Sequence, residues 1–581
     1  MILQALAQYY EDLRSRGEIA EPGWAPAKIS YALCLDAEGR LTQIIPTMVE
    51  TESGKKKTLQ PRQIELPAPV KRASNVASNF LWDNSGYLLG VDKKGKPERT
   101  KECFAAAAAL HREILRDVDL PTARAILAFF DTWEPEKAAE HPALAGIMDE
   151  VTSGANLLFR VEGVEPQNEP AIHAAWQRHW AGGDGGAKMQ CLITGRLEPP
   201  LAVHPAIKGV RDAQSSGAAL VSFNGPAFES YGRDGQQNLN APVCQYAAFA
   251  YTAALNHLLA DRENVRFIGD TTVVCWAEGA DPAYQGFALS ALFGETENSP
   301  LTEQDLRSAL RRLADGLPCG ELGIDPQRPF YILGIAPNAA RLSVRFFLRD
   351  SFGALMRNVN AHYDRLEIAG ARSGAMPLWA LLRETVNLNS RDKAPSPAMA
   401  GATARAVFSG GAYPASLLEA VMLRIRAERS ISSGRAAILK AYYLKNPHPD
   451  CPKEVLTVSL NEESTNPAYT LGRLFSVYEA VQQAANPGIN ATIRDKYINS
   501  AAAMPASIFP LLNNLCQKHL RKLEPGQRVW FEKQIGALKD ILGESYPPRL
   551  TLAQQGSFDL GYYHQTQKRY EKREKGGTEN G

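Results

Sequence analysis

The chain has 581 residues, 45% of them hydrophobic and 22% charged, a globular composition that excludes a disordered, collagenous or fibrous protein. That length exceeds what one hydrophobic core organises, roughly 250–300 residues, so several domains are expected. Sixty-four Lys and Arg against 63 Asp and Glu leave a formal charge of +1, which excludes a global polycation.

The start, MILQALAQYYEDLRSRG, spaces its apolar residues as an amphipathic helix over 1–16 and carries Glu11 and Asp12 where a signal peptide would be apolar. Residues 28–50 alternate and turn at Ala37-Glu38-Gly39, the pattern of a hairpin. Gly and Pro then punctuate a polar stretch that predicts a loop for Lys55, Lys56 and Lys57. Residues 101–131 and 167–180 read as helices, and 182–189 (GGDGGAKM) as a glycine-rich connector. The most apolar window, 241–260, is mostly Ala and holds Gln245, Asn256 and His257, so a buried helix is predicted and no membrane span. Alternating strands follow at 270–277, 330–336 and 341–350, and helical periodicity dominates from about 415. The Ser, Pro, Gly and Ala content of 391–413 predicts a linker. The fold class expected is α+β: a large mixed N-terminal body, divided at 1–205 and 206–390, and an all-helical C-terminal part over 414–581.

Eight scattered cysteines (34, 103, 191, 244, 275, 319, 451 and 516) form no CxxC and read as reduced thiols of a cytoplasmic protein. No GxxxxGK[ST], GxSxG, HExxH or HxE…PCxxC is present, and GGDGGAKM has Met where a P-loop needs a hydroxyl. Cys191 and His204 are too few and too separate in sequence to predict a metal site. A non-catalytic protein without cofactor or metal is therefore the expectation. A nuclease or nucleic-acid-modifying enzyme with a site assembled only in space is the alternative.

The near-zero net charge hides an asymmetry. Residues 401–581 carry 23 basic and 16 acidic residues, a surplus of seven, so 1–400 sum to −6. Within 50–101 stand 11 basic and 6 acidic residues. Basic islands in a neutral chain point to anionic partners held at particular places. Four segments carry the chemistry. Residues 70–84 combine Lys71, Arg72, Asn75 and Asn79 with Phe80 and Trp82, cations for phosphate, amides for base edges and rings for stacking. The same Phe and Trp suit a core equally well. Residues 231–240 offer Gln236, Gln237, Asn238 and Asn240 between glycines, suited to groove acceptors or to a plain surface turn. On strand 341–350 the two-residue period puts Arg341, Arg345 and Arg349 on one face, fit for a phosphate rail or for carboxylates of a partner protein. The helical part carries Arg424, Arg426, Arg429, Arg435, Lys440 and Lys445, then Lys518, Arg521 and Lys522, cations suited to sequence-independent phosphate contact. A protein-only scaffold is the second alternative.

The strings VKRASNVASNFLWDNSGYLLG, AQSSGAALVSFNGPAFESYG, NAPVCQYAAFAYTAALN, LGIAPNAARLSVRFFLRDSFG and QQGSFDLGYYHQTQK strongly resemble the large subunit of type I-C CRISPR surveillance complexes (Cascade), in order from residue 1 to about 573. The resemblance implies a non-catalytic subunit of a ribonucleoprotein complex in antiviral defence. Its partners would be CRISPR RNA, double-stranded target DNA with its displaced single strand, backbone guide-binding subunits, a handle-processing subunit, a small subunit and a helicase-nuclease. It further implies recognition of a protospacer-adjacent motif (PAM), help in opening the duplex into an R-loop, and likeness of the last ~115 residues to the small subunit. On this basis Lys71, Arg72, Asn75, Asn79, Gln236, Gln237, Asn238 and Asn240 are expected to read the motif. Arg424, Arg429, Lys518, Arg521 and Lys522 are expected to hold strand phosphates.

Overall fold

The computed structural model describes residues 1–53, 56–70, 72, 76–93, 97–182, 187–223, 225–230, 232–233, 237–261, 265–293, 303–371, 376–391 and 393–570. For 51–53, 56–58, 237–238, 303 and 321 the backbone alone is described. Two compact units emerge: 1–209 with 214–260 and 339–341, and 210–213 with 261–338 and 342–581.

In the first unit, helix α1 (Ile2–Ser15) buries Leu6, Tyr9, Tyr10 and Leu13, the stripe its spacing predicts. Strands β1 (Trp24–Ile29), β2 (Tyr31–Leu35), β3 (Leu41–Pro46), β4 (Met48–Ser53), β5 (Lys56–Pro67) and β6 (Trp82–Asn84) follow. Helices α2 (Ser85–Leu88), α3 (Pro97–Leu115), α4 (Pro121–Thr132) and α5 (Met148–Thr152) lead to strand β7 (Asn156–Val161) and helix α6 (Pro170–Gly182). The short strands β8 (Met189–Gln190) and β9 (Leu197–Glu198) precede α7 (Gln237–Asn240) and the buried α8 (Gln245–Ala260). One sheet has the order β1-β5-β4, a second β3-β2-β7-β6. β2 and β7 run parallel, which demands a long crossover, here the chain from β3 through α5. All five residues of β2 are buried, as befits a strand inside its sheet. The β2–β3 hairpin turns where expected. Its Gly39 has φ +79°, and a Cβ there would lie 2.4 Å from the Ala125 carbonyl oxygen.

Lys56 and Lys57 depart from the loop expected of them. Their backbones pair with Ser53 and Glu52 in the β4–β5 ladder, while Lys55 lies outside the described residues.

The second unit opens with a four-stranded antiparallel sheet, β10 (Arg266–Ile268), β11 (Thr271–Ala277), β12 (Pro329–Asn338) and β13 (Arg341–Ser351), in that order. Helices α9 (Pro282–Phe293), α10 (Glu303–Ala314), α11 (Phe352–Leu366), α12 (Leu378–Arg383) and α13 (Pro397–Ser409) accompany it. The stretch 391–413, a linker by composition, contains α13, whose Met399, Ala400, Ala404, Val407 and Phe408 lie in the same core as the sheet. Small residues that look like a flexible tether serve here as a close-packed helix face. Helices α14 (Ala415–Glu428) and α15 (Ser433–Lys445) join that core too, which is why the compact units cut the chain elsewhere than at 390 and 414.

The remaining helices, α16 (Pro467–Ala485), α17 (Ile493–Ala503), α18 (Pro505–Leu520), α19 (Pro525–Leu542) and α20 (Leu552–Lys568), share a core of their own around Leu474, Phe475, Phe509, Leu512 and Phe558. The chain is α+β, with mixed sheets before an all-helical C-terminal part. α16 and α20 cross at two glycines. A Cβ on Gly472 would stand 1.9 Å from the Phe558 carbonyl oxygen, and one on Gly561 2.1 Å from that of Tyr469. No helix among the described residues is long and apolar enough to cross a membrane.

Substitutions at and away from the crossing should differ in sign. Gly561→Ala should destabilise the chain by about 1–3 kcal/mol or more, because backbone cannot yield as a side chain can. Gly536→Ala on α19, where a Cβ meets nothing within 4 Å, should stabilise it by about 0.4–1 kcal/mol. Denaturant melts of the two variants check both signs.

Candidate nucleic-acid interface

The segment before β6 is organised around one carboxylate. Asp83 is 1% exposed. Its Oδ2 accepts from the Asn79 backbone N–H at 2.9 Å and its Oδ1 from that of Asn84 at 2.8 Å. Arg72 grips the same carboxylate with both guanidinium branches, Nη1 to Oδ1 at 3.0 Å and Nη2 to Oδ2. Arg72 Nε donates to the Ala77 carbonyl at 2.5 Å, and its guanidinium lies 4.0 Å from the centre of the Tyr87 ring. Asn79 is buried, its Oδ1 accepting from Val70 N–H at 2.9 Å. Phe80, Leu81 and Trp82 belong to the interior, so the core reading of these apolar residues holds. Trp82 donates to the Pro67 carbonyl at 2.8 Å. Lys71 and Asn75 lie outside the described residues.

Leu81 has φ +67°, which costs a branched side chain about 1–3 kcal/mol. A buried histidine holds it there. His111 Nε2 accepts from Leu81 N–H at 2.9 Å while Nδ1 faces the Ala107 carbonyl at 2.7 Å, which fixes the tautomer with its proton on Nδ1. Burial pushes the His111 pKa down to about 4.

In the second polar segment, Asn240 Oδ1 accepts from Ser230 N–H at 2.9 Å, and Arg233 donates to the Leu239 carbonyl. Gln237 and Asn238 sit in α7 by backbone, and Gln236 lies outside the described residues. On β13, Arg345 pairs with Asp270 at 2.6 Å and Arg349 stands 5.7 Å from the Tyr331 ring centre. Arg341 falls in the first unit, its guanidinium 3.6 Å from the centre of the half-exposed Phe228 ring. The three arginines expected on one rail therefore have different neighbours.

In the helical part the cations divide. Arg424 pairs with Glu428 at 3.6 Å, Arg435 with Glu428 and with Glu384 at 3.5 Å, and Arg426 donates to Gln555 at 2.8 Å. Arg435 and Lys440 are buried. Lys518, in the last turn of α18, and Arg521 and Lys522 just after it are exposed, and among the described residues none of them meets a carboxylate. Lys522 donates to Asn486 Oδ1 at 3.3 Å, and Asn486 Nδ2 contacts His519 Nδ1 at 3.2 Å. His519 lines a cleft of about 390 Å³ together with Arg429, Thr492, Asp495, Lys496 and Tyr497. Burial first, and Lys522 second, hold His519 below the ordinary histidine value. Arg429 ends α14 with φ +52° and donates to the Asp495 carbonyl. Buried Glu479 accepts from Tyr562 and Thr492 hydroxyls, both at 2.6 Å, tying the N-terminus of α17 to α20. The structure thus brings Arg429 and His519 to one cleft, with Lys522 joined to His519 through Asn486. Lys496 and His519, which also line it, carried no signal in sequence beyond being basic.

Cys191 and His204, weighed for a shared metal, have separate partners: Cys191 Sγ accepts from Cys244 N–H at 3.4 Å, and His204 Nδ1 meets Tyr251 Oη at 2.7 Å.

The fold places the chain among α+β proteins built from more than one compact unit. A family model described as "CRISPR-associated protein (Cas_Csd1)" matches residues 6–570, and the chain belongs to that family. This agrees with the resemblance to the large subunit of type I-C complexes. No curated protein matches the chain.

A pH prediction follows from His111. Its folded pKa, about 4, lies below the ordinary 6.5. The stability it lends is complete above about 6.5 and falls as pH drops toward 4, because the unfolded chain takes the proton first. Melting temperature measured between pH 7 and 4 should decline less steeply in His111→Gln than in the parent.

Proposed function

We propose that the chain is a non-catalytic large subunit of an RNA-guided DNA surveillance complex. It assembles on CRISPR RNA with the guide-binding, handle-processing and small subunits. It reads a protospacer-adjacent motif, helps to separate the target strands and offers the displaced strand to a helicase-nuclease. Family membership supports the setting. The observation that carries DNA contact is the partition of cations in the helical part. Arg424 and Arg435 are paired with Glu428, and Arg435 also with Glu384, while Lys518, Arg521 and Lys522 remain exposed without a carboxylate among the described residues. Cations left without internal counter-charge are those a phosphate backbone attracts, with release of its condensed counterions.

Sequence search in such a complex belongs to guide–target pairing, a near-balanced exchange of one duplex for another, so the protein need contribute only motif recognition and the first strand separation. Amide groups reach groove acceptors, and a wedge between base steps lowers the cost of opening. Residues 70–79 and 231–240 are the proposed readers.

Two measurements test this. Replacing Lys518, Arg521 and Lys522 by Ala in the assembled complex should weaken binding to all duplexes alike. It should also flatten the salt dependence of binding, by about one unit of slope for each phosphate no longer neutralised. An unchanged slope would place the strand elsewhere. Asn75→Ala and Gln237→Ala should narrow the preference for the correct motif by about 1–3 kcal/mol for each base-edge pairing removed, read by competition binding. Full discrimination retained in both would remove these segments from the reading role.

A further inference from the structure

We propose that Asp83 and Arg72 form a positioning latch that sets the path of the chain between Val70 and Asn79, Arg72 acting on the carboxylate and not on phosphate. The inference rests on the reading of that segment as the motif reader.

The bonding of Arg72 and Asp83 is extensive. Arg72 commits three N–H groups inside the protein, two to Asp83 and one to the Ala77 carbonyl, and lays its flat face on Tyr87. Its side chain is 24% exposed and that of Asp83 only 2%. Asp83 also receives the backbone N–H of Asn79 and Asn84, so a single buried carboxylate holds the return end of the segment and, through Arg72, its outgoing end. A second closure lies across the same gap, from Val70 N–H to the Asn79 side chain. Behind these bonds Leu81 is kept at positive φ by His111, so the root cannot relax by ordinary rotation at that residue. Strain held by surrounding bonds at the base of a loop is a way to present groups in one arrangement. Asp83 itself, buried and negative, has no means of approaching a phosphate. Any effect of Asp83 on DNA must therefore pass through the segment it holds.

The charge states separate a latch from a direct contact. A phosphate-binding arginine adds about one to the salt slope; an arginine neutralised by its own carboxylate adds nothing. Three variants of the assembled complex are informative. Arg72→Lys keeps the charge and loses the two-pronged grip. Asp83→Asn keeps the shape and an acceptor for Asn79 N–H and loses the charge. Arg72→Met with Asp83→Asn removes both charges together, so no buried ion is left without its partner. Competition binding of duplexes with correct and mutated motifs is measured across a salt series, with melting temperature alongside.

The latch predicts that all three variants fall about tenfold in motif discrimination, the size of effect that one base-edge pairing carries. The salt slope stays that of the parent. The double variant recovers melting temperature relative to Asp83→Asn without recovering discrimination, which a merely structural role would restore together with stability. A slope lowered by about one in the double variant would make Arg72 a phosphate contact and overturn the latch. Asn75→Ala separates the latch from the reading segment it serves. If it loses discrimination while the three latch variants keep it, the latch is wrong and the reading segment stands. If all four keep it, the segment is not the reader and both fall.

Discussion

A buried charge without a partner is prohibitive in a protein interior, and a surface charge without one is available to a ligand. That constraint sorts the basic residues of this chain. Arg72 is matched to Asp83, Arg435 to Glu384 and Glu428, Arg345 to Asp270. Each of these matched cations holds two pieces of the chain together. Lys518, Arg521 and Lys522 meet no carboxylate among the described residues and face solvent. A net charge near zero is thus compatible with a protein that meets polyanions, because the neutralising carboxylates stand beside some cations and not others.

The exposed cations need a rigid base if they are to track a strand. In the helical part that base is the contact of α16 with α20, where Gly472 and Gly561 bring two backbones closer than any side chain permits. Glu479 on α16 then takes the hydroxyls of Tyr562 and Thr492, so the N-terminus of α17 and the cleft beside it inherit their position from the crossing. His519 and Lys522 at the end of α18 share Asn486 with the end of α16. Sequence, packing and site are joined here by backbone proximity more than by apolar area.

Much of this was legible in the sequence, for reasons that can be named. Periodicity located α1, the β2–β3 hairpin, α8, β11 to β13 and the helices after 415, because each repeats at the period its geometry demands. The stretch 391–413 misled because small residues are equally the material of a tether and of a tight helix face, and only the neighbouring sheet decides which. The candidate site was legible in composition and not in role. Arg72 and Asn79 stood out as cation and amide, yet their partners, Asp83 and Val70, lie eleven and nine residues away, and nothing in local spacing announces an ion pair of that kind. Arg341, Arg345 and Arg349 share a strand face by alternation, but what each arginine meets depends on elements far away in sequence.

We propose that defined surfaces of this chain, and no bond-breaking chemistry of its own, engage target DNA. Backbone hydrogen exchange of the assembled complex, with and without a motif-bearing duplex, addresses it directly, since amides covered or ordered by the ligand exchange more slowly. Slower exchange confined mainly to residues 70–87, 231–240 and 493–522 is the result expected. Unchanged exchange in all three segments, while the complex holds the duplex, would contradict the account.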